Sequence, residues 1–298
     1  MKNIPLFTSK ARHFFGKLAR SRPSDLPGMI VRRAYEAISP PPQGIKKIKF
    51  GEVSFDIDLS LHAIARKYYF KTHEMFLENI FKRHLSPGKI FIDIGANMGY
   101  WSAFSANLVG REGEVHSFEP VPVFFVSIKR LSEQNREYKI FANNMAMGSS
   151  EDILDMAVVV PRKENFDNFD TNIGSSSLLP GFLDHASSLV ETIQVPVIAL
   201  DDYIDRMKVD IERIGLIKID VEGFESFVLD GMKKILNKRG RRIPILCEIL
   251  TDPLRDAHLN GAVIVDRLAY YGYKCLDVTT LKAIDIGSLS FEENIICI

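Results

Sequence analysis

From residue 89 onward, short apolar runs alternate with stretches of helical period. Ile90-Phe91-Ile92-Asp93 reads as a strand, Ile94 to Gly99 as a glycine-bearing turn, and the following stretch to about Val109 as a helix. Glu114–Glu119 is a second strand, with a helix from about Val121 to Asn135 behind Pro120, and Ile140-Phe141-Ala142 belongs to a third strand. The pattern returns at Leu216–Asp220, followed by a helix over about 224–237, a strand over 243–250 and a helix over 259–271. Tyr273–Val278 and Asn294–Ile298 read as closing strands. Strands alternating with helices imply an α/β fold, a largely parallel sheet covered on both faces.

Upstream the pattern differs. Ser39-Pro40-Pro41-Pro42-Gln43-Gly44 is a stiff break that helix does not cross, with one or two short helices before it. Ile48–Phe50 and Val53–Ile57 alternate around Gly51-Glu52, which predicts a hairpin. Ala63 to His84 reads as one helix ending at Ser86-Pro87-Gly88. This divides the chain into a basic extension (1–45), a hairpin-and-helix cap (46–88) and the main α/β domain (89–298). In the middle, Ile153–Val160 and Ile193–Ile198 predict strands, joined by a polar connection from Arg162 to Ser188 that is either disordered or a functional lid.

Composition narrows the class. The 298 residues are 46% hydrophobic and 26% charged, with 38 basic and 38 acidic side chains and a mean hydropathy of zero, which is globular and argues against a nucleic-acid binder. The neutral total hides an asymmetry. Residues 1–49 hold eleven Lys or Arg against Asp25 and Glu36 alone, so an excess of nine positive charges faces nine negative ones in the rest. With Phe7, Phe14, Phe15 and Leu18 interleaved, residues 1–40 suit peripheral contact with an anionic membrane or a partner; the plainer reading is a solvated extension folding back on an acidic body. No long apolar run predicts a membrane span, and the N-terminus has no continuous apolar segment of a secretory signal. Three cysteines (Cys247, Cys275, Cys297) are too few and odd in number for a disulfide framework, so a reducing, cytoplasmic location is the simplest expectation.

The sharpest chemical signal is Asp93-Ile94-Gly95-Ala96-Asn97-Met98-Gly99, with Glu119 ending the next strand. Glycines at a strand-to-helix turn let the backbone approach a ligand, and a carboxylate about 20 residues on suits ribose hydroxyls. A dinucleotide fingerprint requires a third glycine, which is missing. Asp93 at the mouth of the turn opposes a phosphate but suits a cation, which favours S-adenosylmethionine over NAD; a packed turn with Asp93 as a helix cap is the structural alternative. The second signal is Leu216-Ile217-Lys218-Ile219-Asp220-Val221-Glu222-Gly223-Phe224-Glu225, where carboxylates and a lysine gather at the end of a buried strand. Glu248, ending the next strand, points to the same crevice, although Glu222 and Glu225 also suit helix capping.

These motifs together resemble a known family. Phe91–Ser102, Ser117-Phe118-Glu119-Pro120, Asn144–Gly148, Asn172–Leu178, Leu200-Asp201-Asp202-Tyr203 and Ile217–Glu225 occur in the order found in the FkbM family of S-adenosylmethionine-dependent methyltransferases. The resemblance covers about Glu74 to Leu250. It implies a class I methyltransferase (Rossmann-like) fold: a seven-stranded, mostly parallel sheet of order 3-2-1-4-5-7-6, with strand 7 antiparallel. It also implies that Asp93, Gly95, Asn97 and Gly99 line the methionine part of the cofactor, that Glu119 holds the ribose and that Asn144 lies near the adenine. The family's acceptors are mostly hydroxyl oxygens of sugars, polysaccharides or polyketides.

A hydroxyl acceptor needs a general base or a metal. Asp220 or Glu222 is expected to be that base, with Lys218 orienting the carboxylates. Oxygen ligands of such a cluster are able to hold Mg²⁺, but no spacing demands it. His116 reads as a packed histidine, His185 and His258 as alternative bases, the Asn172–Pro180 loop as an acceptor contact and Trp101 as a packing residue. Two other functions compete: an NAD-dependent oxidoreductase or epimerase, and a non-catalytic cofactor-binding scaffold. Deleting residues 1–40 is expected to leave affinity for S-adenosylmethionine unchanged in a calorimetric titration; a large loss would show that the arm completes the site.

Overall fold

The computed structural model describes residues 43–60, 63–71, 73–160, 176–179, 189–238, 240, 242–250, 261–284 and 292–298. The basic arm, His185, His258 and most of the 162–188 connection lie outside these residues. The elements run β1 (Ile45–Phe50), β2 (Val53–Asp58), α1 (Ala63–Tyr69), α2 (Glu78–His84), β3 (Ile90–Ile94), α3 (Tyr100–Val109), β4 (Glu114–Phe118), α4 (Pro122–Gln134) and β5 (Lys139–Asn143). They continue with β6 (Ala146–Met147), β7 (Asp152–Val160), β8 (Leu189–Ile198), α5 (Leu200–Met207), β9 (Ile214–Ile219), α6 (Glu225–Asp230), α7 (Lys233–Leu236), β10 (Ile245–Leu250), α8 (Gly261–Tyr270), β11 (Cys275–Asp277) and β12 (Glu292–Cys297).

Seven strands form the main sheet in the order β5-β4-β3-β9-β10-β12-β11. β3, β4, β5, β9 and β10 are parallel, and β12 runs antiparallel to both neighbours. Numbered along the chain, this is 3-2-1-4-5-7-6, the class I methyltransferase order. The central strands are buried along their whole length, so they read as continuous apolar runs. Their alternation still sorts two cores. Ile90, Ile92, Ile217, Ile219, Ile245 and Cys247 meet α5 to α8 on one face. Phe91, Val115, Leu216 and Leu246 meet α2, α3 and the β1-β2 hairpin on the other.

The cap is thus part of the second core. Phe50 and Phe55 pack edge-on against Tyr100, and Phe81 stacks on Trp101 at 4.4 Å between centroids. Trp101 packs α3 onto this cap. The single helix expected over 63–84 is instead α1, a 3-10 turn at Met75–Leu77 and α2. Lys71 and Glu74 take positive φ values of 52°, which ends α1 and turns the chain across the sheet.

Three further departures have local causes. β6, β7 and β8 leave the main sheet and form their own, in the order β6-β8-β7, around Val121, Phe124, Met156 and Val195. The helix expected over 224–237 is broken at Gly231, where an added Cβ would lie 1.9 Å from the Gly148 carbonyl oxygen. The expectation of unpaired cysteines is corrected: Cys275 and Cys297 face each other across β11 and β12 and form a disulfide, while Cys247 is buried and free. Twenty-two residues separate the pair, so the sheet register, invisible in cysteine spacing, brings them together. No helix among the described residues is long and apolar enough to cross a membrane. Gly231→Ala is expected to destabilise the protein by about 1–3 kcal/mol through overpacking, read as a lower urea midpoint at unchanged slope.

Candidate active site

The carboxyl ends of β3, β4, β9 and β10 carry the chemistry. Asp93 is the fourth residue of β3, on the face shared with Phe91, and is 1% exposed. In register beside it stand Ser117 of β4 and Lys218 of β9. Ser102 of α3 donates to Asp93 Oδ2 at 2.5 Å and lies 2.8 Å from the Ser117 hydroxyl. Asp93 Oδ1 is buried and has no hydrogen-bond partner among the described residues. Burial raises the Asp93 pKa, against the opposing pull of Lys218 and Ser102.

The turn after β3 follows from close contact. Gly95 has φ 76°, and a Cβ there would lie 1.7 Å from the Asp220 carbonyl oxygen, so only glycine allows β9 to end against this turn. The Asp220 N–H in return donates to the Ile94 carbonyl. Asn97, also at positive φ, directs its N–H to Glu119 Oε2 at 2.7 Å. Gly99 caps α3. Glu119 Oε1 accepts from the Val121 N–H at 2.9 Å, and burial pushes the Glu119 pKa up to about 7 despite those two bonds. Asn144 donates to the Glu119 and Pro120 carbonyls at 2.8 and 3.0 Å, bracing the turn that aims Glu119.

Lys218 Nζ lies 2.6 Å from Asp220 Oδ2, with the lysine side chain 5% exposed. Burial opposes its charge, but Asp220, Asp93 and Glu74 outweigh it and hold the ammonium above its ordinary range. Burial works against the Asp220 carboxylate too, yet Lys218 and a hydrogen bond with Glu248 keep its pKa low. Glu248 takes the opposite course, pushed well above the carboxylate range by burial and the Asp220 charge. Glu222 follows at φ 52°, and its carbonyl accepts from the Ser177 hydroxyl at 2.9 Å. Ser177, from the loop expected to bind an acceptor, thus stands beside the strand ends. Glu225 is 3% exposed, accepts from the Gly223 N–H at 3.0 Å and is raised by burial to about 7. His116 is packed as expected, stacked on Phe141 with its Nδ1 2.9 Å from the Tyr203 hydroxyl.

The described candidates Asp93, Gly95, Asn97, Gly99, Glu119, Asn144, Lys218, Asp220 and Glu222 therefore fall at the carboxyl ends of the strands and the turns that follow them, while His185 and His258 lie outside the described residues. Three neighbours were missed: Tyr68, His73 and Glu74. Tyr68 and Trp101 both donate to Glu74 Oε2, at 3.0 and 3.2 Å, and His73 lowers the Asp220 pKa. The three missed residues lie at the end of α1 and on the strap that follows it, which a single predicted helix concealed. Among the described residues, no group of three or more His, Cys, Asp or Glu side chains is arranged to hold a metal ion.

The strand order is that of the class I S-adenosylmethionine-dependent methyltransferase fold. The Methyltransferase FkbM domain matches residues 93–275, more than half of the chain, and the chain belongs to this family. Among solved structures, the FkbM methyltransferase of Methylobacillus flagellatus is 13% identical with a TM-score of 0.43, over 79% of this chain and 55% of that one. The chain therefore spans little more than half the length of that protein. Precorrin-6y C5,15-methyltransferase of Geobacter metallireducens is 10% identical (TM-score 0.39, 76% and 88% covered). Aeropyrum pernix fibrillarin, solved with natively bound S-adenosyl-L-methionine, is 11% identical (TM-score 0.34, 72% and 68% covered). At such scores the domain match carries the assignment. No curated protein matches the chain significantly.

A buried acid whose pKa rises on folding costs stability once the unfolded form ionises. For Glu225 that cost begins near its ordinary pKa of 4.5 and is complete above about 7. Glu225→Gln keeps an oxygen for Gly223 without the charge. Its stability relative to wild type is expected to rise between pH 5 and 8 by roughly 1–3 kcal/mol, measured by urea unfolding at each pH.

Proposed function

We propose that the protein transfers a methyl group from S-adenosylmethionine to a hydroxyl oxygen of a sugar, polysaccharide or related metabolite. One observation carries the cofactor reading: a fully buried carboxylate, Asp93, whose Oδ1 has no hydrogen-bond partner among the described residues, at the turn that the Asn97–Glu119 hydrogen bond ties to the end of β4. That arrangement fits a ligand with a cationic amine at one end and a ribose at the other. Asp93, Gly95, Asn97 and Gly99 would line the methionine part and Glu119 the ribose. Asn144, which aims Glu119, would border the adenine.

Bound S-adenosylmethionine supplies an electrophilic methyl group on a positively charged sulfur. The acceptor oxygen forms its bond to that carbon as the carbon–sulfur bond breaks, and the electron pair stays on sulfur. The acceptor proton passes to Asp220 or Glu222. Lys218 and Glu248 hold the Asp220 pKa low, which keeps the carboxylate ionised and able to accept the proton while making it a weak base that gives the proton up easily. Lys218 fixes the orientation of that carboxylate.

An oxidoreductase is disfavoured by the two-glycine turn and by the antiparallel β12, which the dinucleotide-binding sheet lacks. The test is calorimetric titration of wild type and Glu119→Ala with S-adenosylmethionine, S-adenosylhomocysteine and NAD, then a methyl-transfer screen on glycans. Micromolar binding of the first two, weakened about tenfold or more in the variant and absent for NAD, is the expected result. Asp220→Asn is expected to slow transfer to any acceptor found by roughly 100-fold or more. Binding of NAD alone would overturn the reading.

A further inference from the structure

The strap between α1 and α2 brings to the strand ends a carboxylate that lies outside the matched methyltransferase domain. Glu74 precedes the 3-10 turn Met75–Leu77 with its backbone at φ 52° and ψ 18°, a conformation unusual for a residue with a side chain. Its side chain is 11% exposed. Two aromatic donors hold Oε2: the Tyr68 hydroxyl of α1 and the Trp101 indole of α3, the helix that starts at the cofactor turn. Tyr68 stacks on Tyr100 at 4.1 Å, so both donors are themselves fixed by packing.

Seen from Lys218, Glu74 is the third carboxylate, after Asp220 and Asp93. Three carboxylates therefore face this one ammonium, and His73, whose Nε2 lies 3.9 Å from Glu74 Oε1, adds a second positive charge only when protonated. Such an excess is costly in a buried place unless a cation joins it. Independently, Asp93 Oδ1, in a side chain 1% exposed, has no partner among the described residues. Both features mark room for a positively charged ligand group beside the turn.

We propose that Glu74 is a selectivity residue: it completes an anionic wall that favours the sulfonium form of the cofactor over the neutral thioether product. This rests on the S-adenosylmethionine reading above. The two molecules differ at one sulfur by a methyl group and a positive charge, so a fixed carboxylate discriminates between them through that charge alone. The same wall would ease product release, because its attraction ends when the methyl group leaves.

Calorimetric titration with S-adenosylmethionine, S-adenosylhomocysteine and sinefungin, whose amine restores a positive charge at the methyl position, tests this. Wild type is expected to bind the two cationic ligands more tightly than the neutral one. Glu74→Gln keeps an oxygen to accept from Tyr68 and Trp101; it is expected to lower affinity for both cationic ligands about tenfold and for S-adenosylhomocysteine less than about threefold. Equal losses for all three, or none, would overturn the proposal while leaving the methyltransferase reading in place. Should the variant fail to fold, wild type still decides: tighter binding of S-adenosylhomocysteine than of sinefungin would overturn it. Wild type binding none of the three would overturn both readings together.

Discussion

The ammonium of Lys218 is buried in a sheet, and the arrangement around it depends on how that charge is compensated. A lone buried cation would be strongly destabilising, so its neighbours have to be acids. Asp220 meets it directly at 2.6 Å, Asp93 stands beside it in register on β3, and Glu74 reaches it from the cap. Glu248 hydrogen-bonds Asp220, and burial beside that charge pushes its pKa well above the carboxylate range. The carboxyl edge of the sheet is thus an interlocked set of charges.

Close contact and hydrogen bonding determine the backbone nearby. Gly95 has to be glycine because β9 ends against it at the Asp220 carbonyl. Asn97 leaves the usual backbone region so that its N–H meets Glu119, and that hydrogen bond ties the first turn to the end of β4. Left-handed residues at Glu74, Asn97 and Glu222 all border this region. Backbone of this kind persists where surrounding contacts over-determine it, and it concentrates at functional sites.

Much of this was legible along the chain. The parallel core strands, the turn at Asp93–Gly99 and the acidic end at Glu119 stand out because apolar runs and glycine spacing are local properties. The break at Gly231 was not legible, since it depends on the carbonyl of Gly148, eighty-three positions away. Nor was the strap at Lys71 and Glu74, whose helical composition is overridden by the packing of Tyr68 and Trp101 around one carboxylate. The bond from the Ser177 hydroxyl to the Glu222 carbonyl, forty-five positions away, was likewise out of reach of a reading along the chain.

The sequence by itself determined the fold class and marked the turn at Asp93–Gly99 and the acid at Glu119, because periodicity and the spacing from Gly99 to Glu119 are written in one dimension. Only the tertiary structure decided which carboxylates share a charge environment. Register places Asp93 beside Lys218, adjacency of β9 and β10 pairs Asp220 with Glu248, and the cap adds Glu74 from a distant stretch. The disulfide of Cys275 and Cys297 has the same origin in strand pairing. Charge interactions act across space rather than along the chain, so their partners become known only when the sheet has formed.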